Sequence, residues 1–222
     1  DLKKIIKQNI NEISKISSDR LLDELKKLVS SKGFIKISND AFCKEIILLI
    51  FPQLIKLDIF KNLNVHLKKI FDQKDFIFLI SLMIIDDSDN TEYFIYKYNI
   101  SNDDKKRIRF LSNIFSKNLN KETFKEKNLW KIFYLNGKNC LNDFINFKLF
   151  QSQRLDKKLI KLKEFFQNQE VPKFDIKAKT LIEKYNYKEG KKLGDKLKEI
   201  EEFWINNSFK ISDKELDNIV KN

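Results

Sequence analysis

Residues 171–209, VPKFDIKAKTLIEKYNYKEGKKLGDKLKEIEEFWINNSF, hold the residue types and spacings best suited to chemistry with phosphate. Between Lys173 and Lys198 there are nine lysines against four acids (Asp175, Glu183, Glu189 and Asp195), a net of +5 within a chain whose formal charge is +12. Gly190-Lys191-Lys192-Leu193-Gly194 opens a helical pattern that continues through Leu197, Ile200 and Trp204. Glycine lets another backbone approach closely, and the free N–H groups at a helix start favour anions. Lys177, Lys179, Lys191 and Lys192, with Gly190 and Gly194, are therefore the candidate contacts to an RNA backbone. The competing expectation is that the lysines are solvated helix residues and that the glycines serve helix packing. Phe174 and Trp204 are expected in a local core rather than as platforms for bases.

Other chemistries are poorly supplied. Asp86-Asp87-Ser88-Asp89 gathers carboxylates, but it follows an apolar helix within a turn-forming cluster and reads as a solvated loop. His66 is the only histidine, which excludes a metal phosphohydrolase of the histidine-aspartate type. Cys43 and Cys140 are too few and too far apart for a metal site; both are expected as small buried hydrophobes in a reducing cytoplasm. No metal site is expected. No apolar run is long enough to cross a bilayer, the stretch from Ile77 to Ile85 being too short. Lysine, isoleucine, asparagine and phenylalanine dominate while alanine occurs twice. Such a bias supplies lysines without any functional need, so their clustering beside glycines is a better signal than net charge.

These residues need helices to position them. Leu2, Ile5, Ile6, Ile10 and Ile13 recur at helical spacing. Ser17 is a candidate N-cap with Asp19 in the first turn. The helix it opens carries Leu21, Leu22, Leu25 and Leu28, and Arg20 and Glu24 share one of its faces as a surface pair. Asn39 is expected to cap a helix that Pro52 ends. Helices are expected over Leu57–Phe71 and Asp75–Ile85, the second apolar nearly all round and central to the core. Ser101 with Asp104 resembles a capping box; the helix it opens buries Ile108, Leu111, Ile114 and Phe115 and carries Lys105, Lys106, Arg107 and Arg109. That basic side is expected either to line an RNA groove or to lie in solvent. Further helices follow over Leu129–Leu135, Leu141–Phe150 and Leu155–Phe166, and Val171-Pro172 ends the last. Ser212 and Glu215 form a capping box for a final helix. Tyr93–Tyr98 is the one strand-like run and is read as part of a helix or connector. The expected fold is all-α, an irregular array of many helices.

Three segments also resemble a known family. Pro172-x-Phe174-x-Ile176-Lys177-x-Lys179, followed by Glu189-Gly190-x-x-Leu193-Gly194-x-x-Leu197-x-x-Ile200-Glu201-x-x-Trp204, resembles the tail of class II tRNA nucleotidyltransferases, the CCA-adding enzymes and their poly(A) polymerase relatives. Ile16-Ser17-Ser18-Asp19-Arg20-Leu21-Leu22-Asp23-Glu24-Leu25 resembles the neck segment I-S-x-E-R-I-x-x-E-L. Ile50-Phe51-Pro52-Gln53-Leu54 resembles the L-F-P-E-L that follows it. The resemblance implies a neck remnant at 1–35, a helical body at 36–170 and a tRNA-binding tail at 171–222. It implies that Ser17, Asp19, Arg20 and Glu24 brace the pocket where the incoming nucleotide is chosen.

In such enzymes a separate head carries the metal-binding carboxylates, so the parent protein is expected to use Mg with CTP and ATP. This chain, which holds no such head, is expected to need no cofactor and to add no nucleotide by itself. Its expected partners are tRNA and the head of the same protein, in the cytoplasm and away from membranes. The sequence departs from the family where Ala178 replaces a usual glycine, Thr180 an aspartate, Asn186 a loop glycine and Glu189 a proline. The first two alter the backbone beside Lys177 and Lys179, whereas Asn186 tolerates the left-handed conformation. A poly(A) polymerase and a non-enzymatic helical adaptor are the alternatives.

Overall fold

A computed structural model describes residues 2–115 and 121–221. Among the described residues every regular element is helical: α1 (Leu2–Gln8), α2 (Ser18–Val29), α3 (Phe34–Asn39), α4 (Ala41–Ile50), α5 (Val65–Gln73), α6 (Phe76–Ile84), α7 (Asn90–Lys97), α8 (Asn102–Phe115), α9 (Glu126–Ser152), α10 (Lys157–Gln167), α11 (Ala178–Tyr185), α12 (Lys191–Asn206) and α13 (Asp213–Lys221), with short 3-10 turns at Ile10–Lys15, Leu57–Phe60 and Lys121–Phe124.

Most of these helices start on a side chain that replaces a missing backbone partner. Ser17 Oγ accepts from the Arg20 N–H at 3.4 Å, Asn64 from Leu67 at 2.9 Å, and Asp75 from Phe78 at 3.0 Å. Ser101 Oγ accepts from the Asp104 N–H, and Ser212 and Glu215 complete a reciprocal box: the Ser212 N–H donates to the Glu215 carboxylate at 2.8 Å and the Glu215 N–H to Ser212 Oγ at 3.4 Å. Two expectations need correction. Asp40, not Asn39, caps α4, accepting from the Cys43 N–H at 2.8 Å, because residues 34–39 form a short helix of their own. The stretch from Leu57 to Phe71 is broken, since Asn62 takes the left-handed conformation (φ 56°) and Asn64 then starts α5 afresh.

The buried side chains fall into two clusters. The larger runs from Leu25 to Phe166 around α6, of whose nine residues eight are buried. Phenylalanines knit it together: Phe60 meets Phe34 and Phe71 edge-on at 5.5 Å each and Phe150 at 6.3 Å, and Phe150 meets Phe78 at 6.0 Å. Leu25, Val29 and Phe34 belong to the same cluster, so α2 and α3 share a core with the helices that follow. Cys43 and Cys140 are half-buried rather than buried, and burial pushes the Cys140 thiol above its ordinary range.

A charged group sits inside this core. The Asp143 side chain is 1% exposed and accepts from Lys74 Nζ at 2.6 Å and Arg107 Nε at 2.5 Å, while Arg107 Nη1 reaches Asp75 at 2.8 Å. One carboxylate thus ties α9 to α8 and to the loop before α6. Arg107 is therefore committed inward rather than offered to a ligand, and Arg109 is held by both oxygens of Glu92 at 2.7 and 2.6 Å. The basic side of α8 is consequently less open than its sequence suggests.

The smaller cluster comprises Leu181, Leu193, Ile200, Leu216 and Val220, flanked by Phe174, Ile176 and others. α9 connects the two. Gly137 (φ 79°, ψ 173°) kinks it, in a backbone conformation that favours glycine. Before the kink, Trp130 packs on Phe166 at 4.9 Å and Phe209 at 6.1 Å, and Tyr134 on Trp204 at 5.3 Å. Tyr134 also donates to Glu201, and Lys131 to Asn206 at 2.6 Å. After the kink, Phe144, Ile145, Phe147 and Phe150 enter the larger core.

Candidate nucleic-acid interface

The lysine-rich segment folds as two helices joined by a tight turn. Leu181 anchors α11 in the small core, and Asn186, left-handed at φ 56°, ends it. Gly190 then adopts φ 137° and ψ −169°, a conformation essentially confined to glycine, and starts α12 without any side-chain cap. Leu193, Ile200, Trp204 and Ile205 turn inward. Lys191 and Lys192 are left exposed in the first turn, where no acid accompanies them. A recess of about 450 Å³ follows this turn, lined by Tyr185, Asn186 and Tyr187, by Lys188, Lys191 and Lys192, and by one acid, Glu189.

Three features suit that recess to an anion. Two ammonium groups occupy the positive end of a helix dipole, where their own charge is locally unfavourable until an anion arrives. No side chain caps the amides there. The nearby acid Asp217 is engaged by Lys184 at 3.2 Å and by the Tyr185 hydroxyl. Those two donors hold the Asp217 carboxyl below its ordinary range, Tyr185 contributing most.

Lys177 and Lys179 lie at the other end of α11, separated from Lys191 and Lys192 by a helix of eight residues, about 12 Å long. Both are exposed, and Lys179 forms a surface pair with Glu183 at 3.5 Å. The two glycines differ. A Cβ at Gly194 would meet nothing within 4 Å, so close helix packing does not explain that residue. Gly194→Ala is expected to stabilise the fold by about 0.5–1 kcal/mol through reduced unfolded-state entropy. Gly190→Ala, forced into φ 137°, should cost about 1–3 kcal/mol. Urea melts of the two variants decide this; equal shifts would show that the Gly190 conformation is not required.

Ser17, Asp19, Arg20 and Glu24 are exposed at the start of α2. The expected Arg20–Glu24 pair is replaced by Glu24 with Lys27 at 2.9 Å, and Lys27 is what holds the Glu24 carboxyl below its ordinary range. None of the four lines the recess at Lys191 and Lys192. Instead Ser18 borders a recess of about 940 Å³ that α7 and α8 complete. Sequence reasoning passed over this recess, although Tyr93 and Tyr96 stand three apart and so share a helix face. Among the described residues no group of three or more His, Cys, Asp or Glu side chains is placed to hold a metal ion. No described helix is long and apolar enough to cross a membrane.

Residues 1–57, about a quarter of the chain, match the family described as "Probable RNA and SrmB- binding site of polymerase A". No curated protein matches the chain. The N-terminal match supports an RNA-binding role in a polymerase A-like protein related to the nucleotidyltransferases.

Proposed function

We propose that this chain is the RNA-binding portion of a tRNA nucleotidyltransferase that completes the CCA end, with a neck at 1–35, a body at 36–170 and a tail at 171–222. The observation that carries the RNA partner is the match of residues 1–57 to an RNA-binding segment. The tail motif around Glu189-Gly190 and Trp204 is what favours tRNA and CCA addition over poly(A) synthesis. The polymerase A description of the matched family favours the second reading, the same portion of a poly(A) polymerase.

In this proposal the chain performs no bond chemistry. Lys177, Lys179, Lys191 and Lys192 neutralise phosphates, while Gly190 and Gly194 let the RNA backbone approach the start of α12. Such contacts fix position without reading sequence, which suits an enzyme that must accept every tRNA. Ser17, Asp19, Arg20 and Glu24 brace the pocket where the incoming nucleotide is chosen, and a catalytic head of the parent protein would bind Mg, CTP and ATP. The setting proposed is the cytoplasm.

Salt titration tests the proposal. Four phosphate contacts should give log affinity for tRNA a slope of about −3 against log salt. An affinity indifferent to salt between roughly 50 and 300 mM would remove phosphate contact as the basis of binding.

A further inference from the structure

We propose that the recess between the start of α2 and the pair α7–α8 is a second RNA surface, one that takes unpaired nucleotides by stacking their bases on Tyr96 and Tyr93. This inference rests on the RNA-binding reading above and adds to it a site and a substrate form. Tyr96 is 86% exposed and Tyr93 53%. Their neighbours Phe94 and Ile95 are buried, so α7 is firmly seated and presents the two phenol rings outward by design of its register. Neither ring is needed by the core.

The surroundings supply the complementary chemistry. Lys97, Lys105 and Arg109 line the same recess, against the single acid Glu92. Glu92 is already paired with both arms of the Arg109 guanidinium, and that pairing holds the Glu92 carboxyl below its ordinary range. The lining therefore stays net positive. Asn99 and Asn102 add amides able to meet base edges. Aromatic faces beside cations and amides are the equipment for single-stranded RNA, whose bases are free to stack; a duplex hides them. The volume of about 940 Å³ is within the range of small-ligand clefts. Ser18 on its rim belongs to the segment that matches an RNA-binding family, which makes the recess continuous with that segment.

The test compares a single-stranded oligoadenylate with a blunt RNA duplex, by fluorescence anisotropy with the full chain. Tyr96→Ala should weaken the single strand by about 5- to 150-fold, the loss of one stacked base. Tyr96→Phe, which keeps the ring, should stay within about twofold, as should duplex binding by either variant. The ring's exposure means that neither change threatens folding. If Tyr93→Ala with Tyr96→Ala binds the oligoadenylate like the parent chain while Lys191→Glu with Lys192→Glu loses tRNA, the stacking site is wrong and the RNA reading stands. If the parent chain binds neither RNA, both readings fall together.

Discussion

Replacing Asp143 with alanine is expected to lower the melting temperature by roughly 6–20 °C. Removing one member of a buried ion cluster costs about 3–5 kcal/mol, because the remaining charges are left without compensation. At about 2–4 °C per kcal/mol for a chain of this size, the stated fall follows. The charges left short of a partner here are Lys74 and Arg107, whose side chains are 13% and 21% exposed, Arg107 keeping only the more exposed Asp75. Burial opposes the charge on Arg107, but Asp143 and Asp75 together more than offset it and hold the guanidinium protonated. Asp143→Asn should fare only slightly better, since its one amide oxygen replaces two acceptor oxygens, its NH2 faces a second donor, and the charge is lost. Asp75 adds a pH dependence: burial would raise its carboxyl, yet the Phe78 N–H and Arg107 outweigh burial and lower it from 3.8. Its stabilisation is complete above that ordinary value and is lost as pH falls through the depressed one. Thermal melts that shift by less than about 2 °C for Asp143→Ala would show that the cluster is no more than a surface pair.

The second large effect concerns RNA. Lys191→Glu with Lys192→Glu should weaken tRNA binding by roughly 25- to 60-fold at 0.1 M salt, since each lost phosphate contact removes a factor of salt concentration raised to about 0.7–0.9. The slope against log salt should fall by nearly two. Stability should move the other way, because acids at a helix start are favoured where lysines are not. Opposite signs separate this outcome from unfolding. An unchanged dissociation constant would take both lysines out of the interface.

How far such sites can be read from residues alone depends on whether the cause is local. Ser17, Asp75, Ser101 and Ser212 act within one turn of themselves, so the starts of α2, α6, α8 and α13 follow directly from sequence. The all-apolar run at 76–84 could only be central. Asn186 was expected to tolerate the left-handed conformation and does. Asn62 and Asp40 were harder: each interrupts or starts a helix amid residues with the same periodicity, and only neighbouring packing decides between Asn39 and Asp40. The Asp143 cluster joins residues 36 and 69 positions apart, which no local pattern encodes. Arg107 looked like a solvent or RNA contact for the same reason. The glycine–lysine turn stood out because its lysines and glycines lie together in sequence at a helix start, whereas the tyrosine recess is assembled from three separate helices.

Residues 168–177 lack regular secondary structure, yet the seam of Trp130, Tyr134, Trp204 and Phe209 pins what they connect. The C-terminal helices are accordingly not an arm on a leash. The loss of freedom that comes with holding them in place falls on folding, so an incoming polyanion meets a surface already set and is spared that entropy.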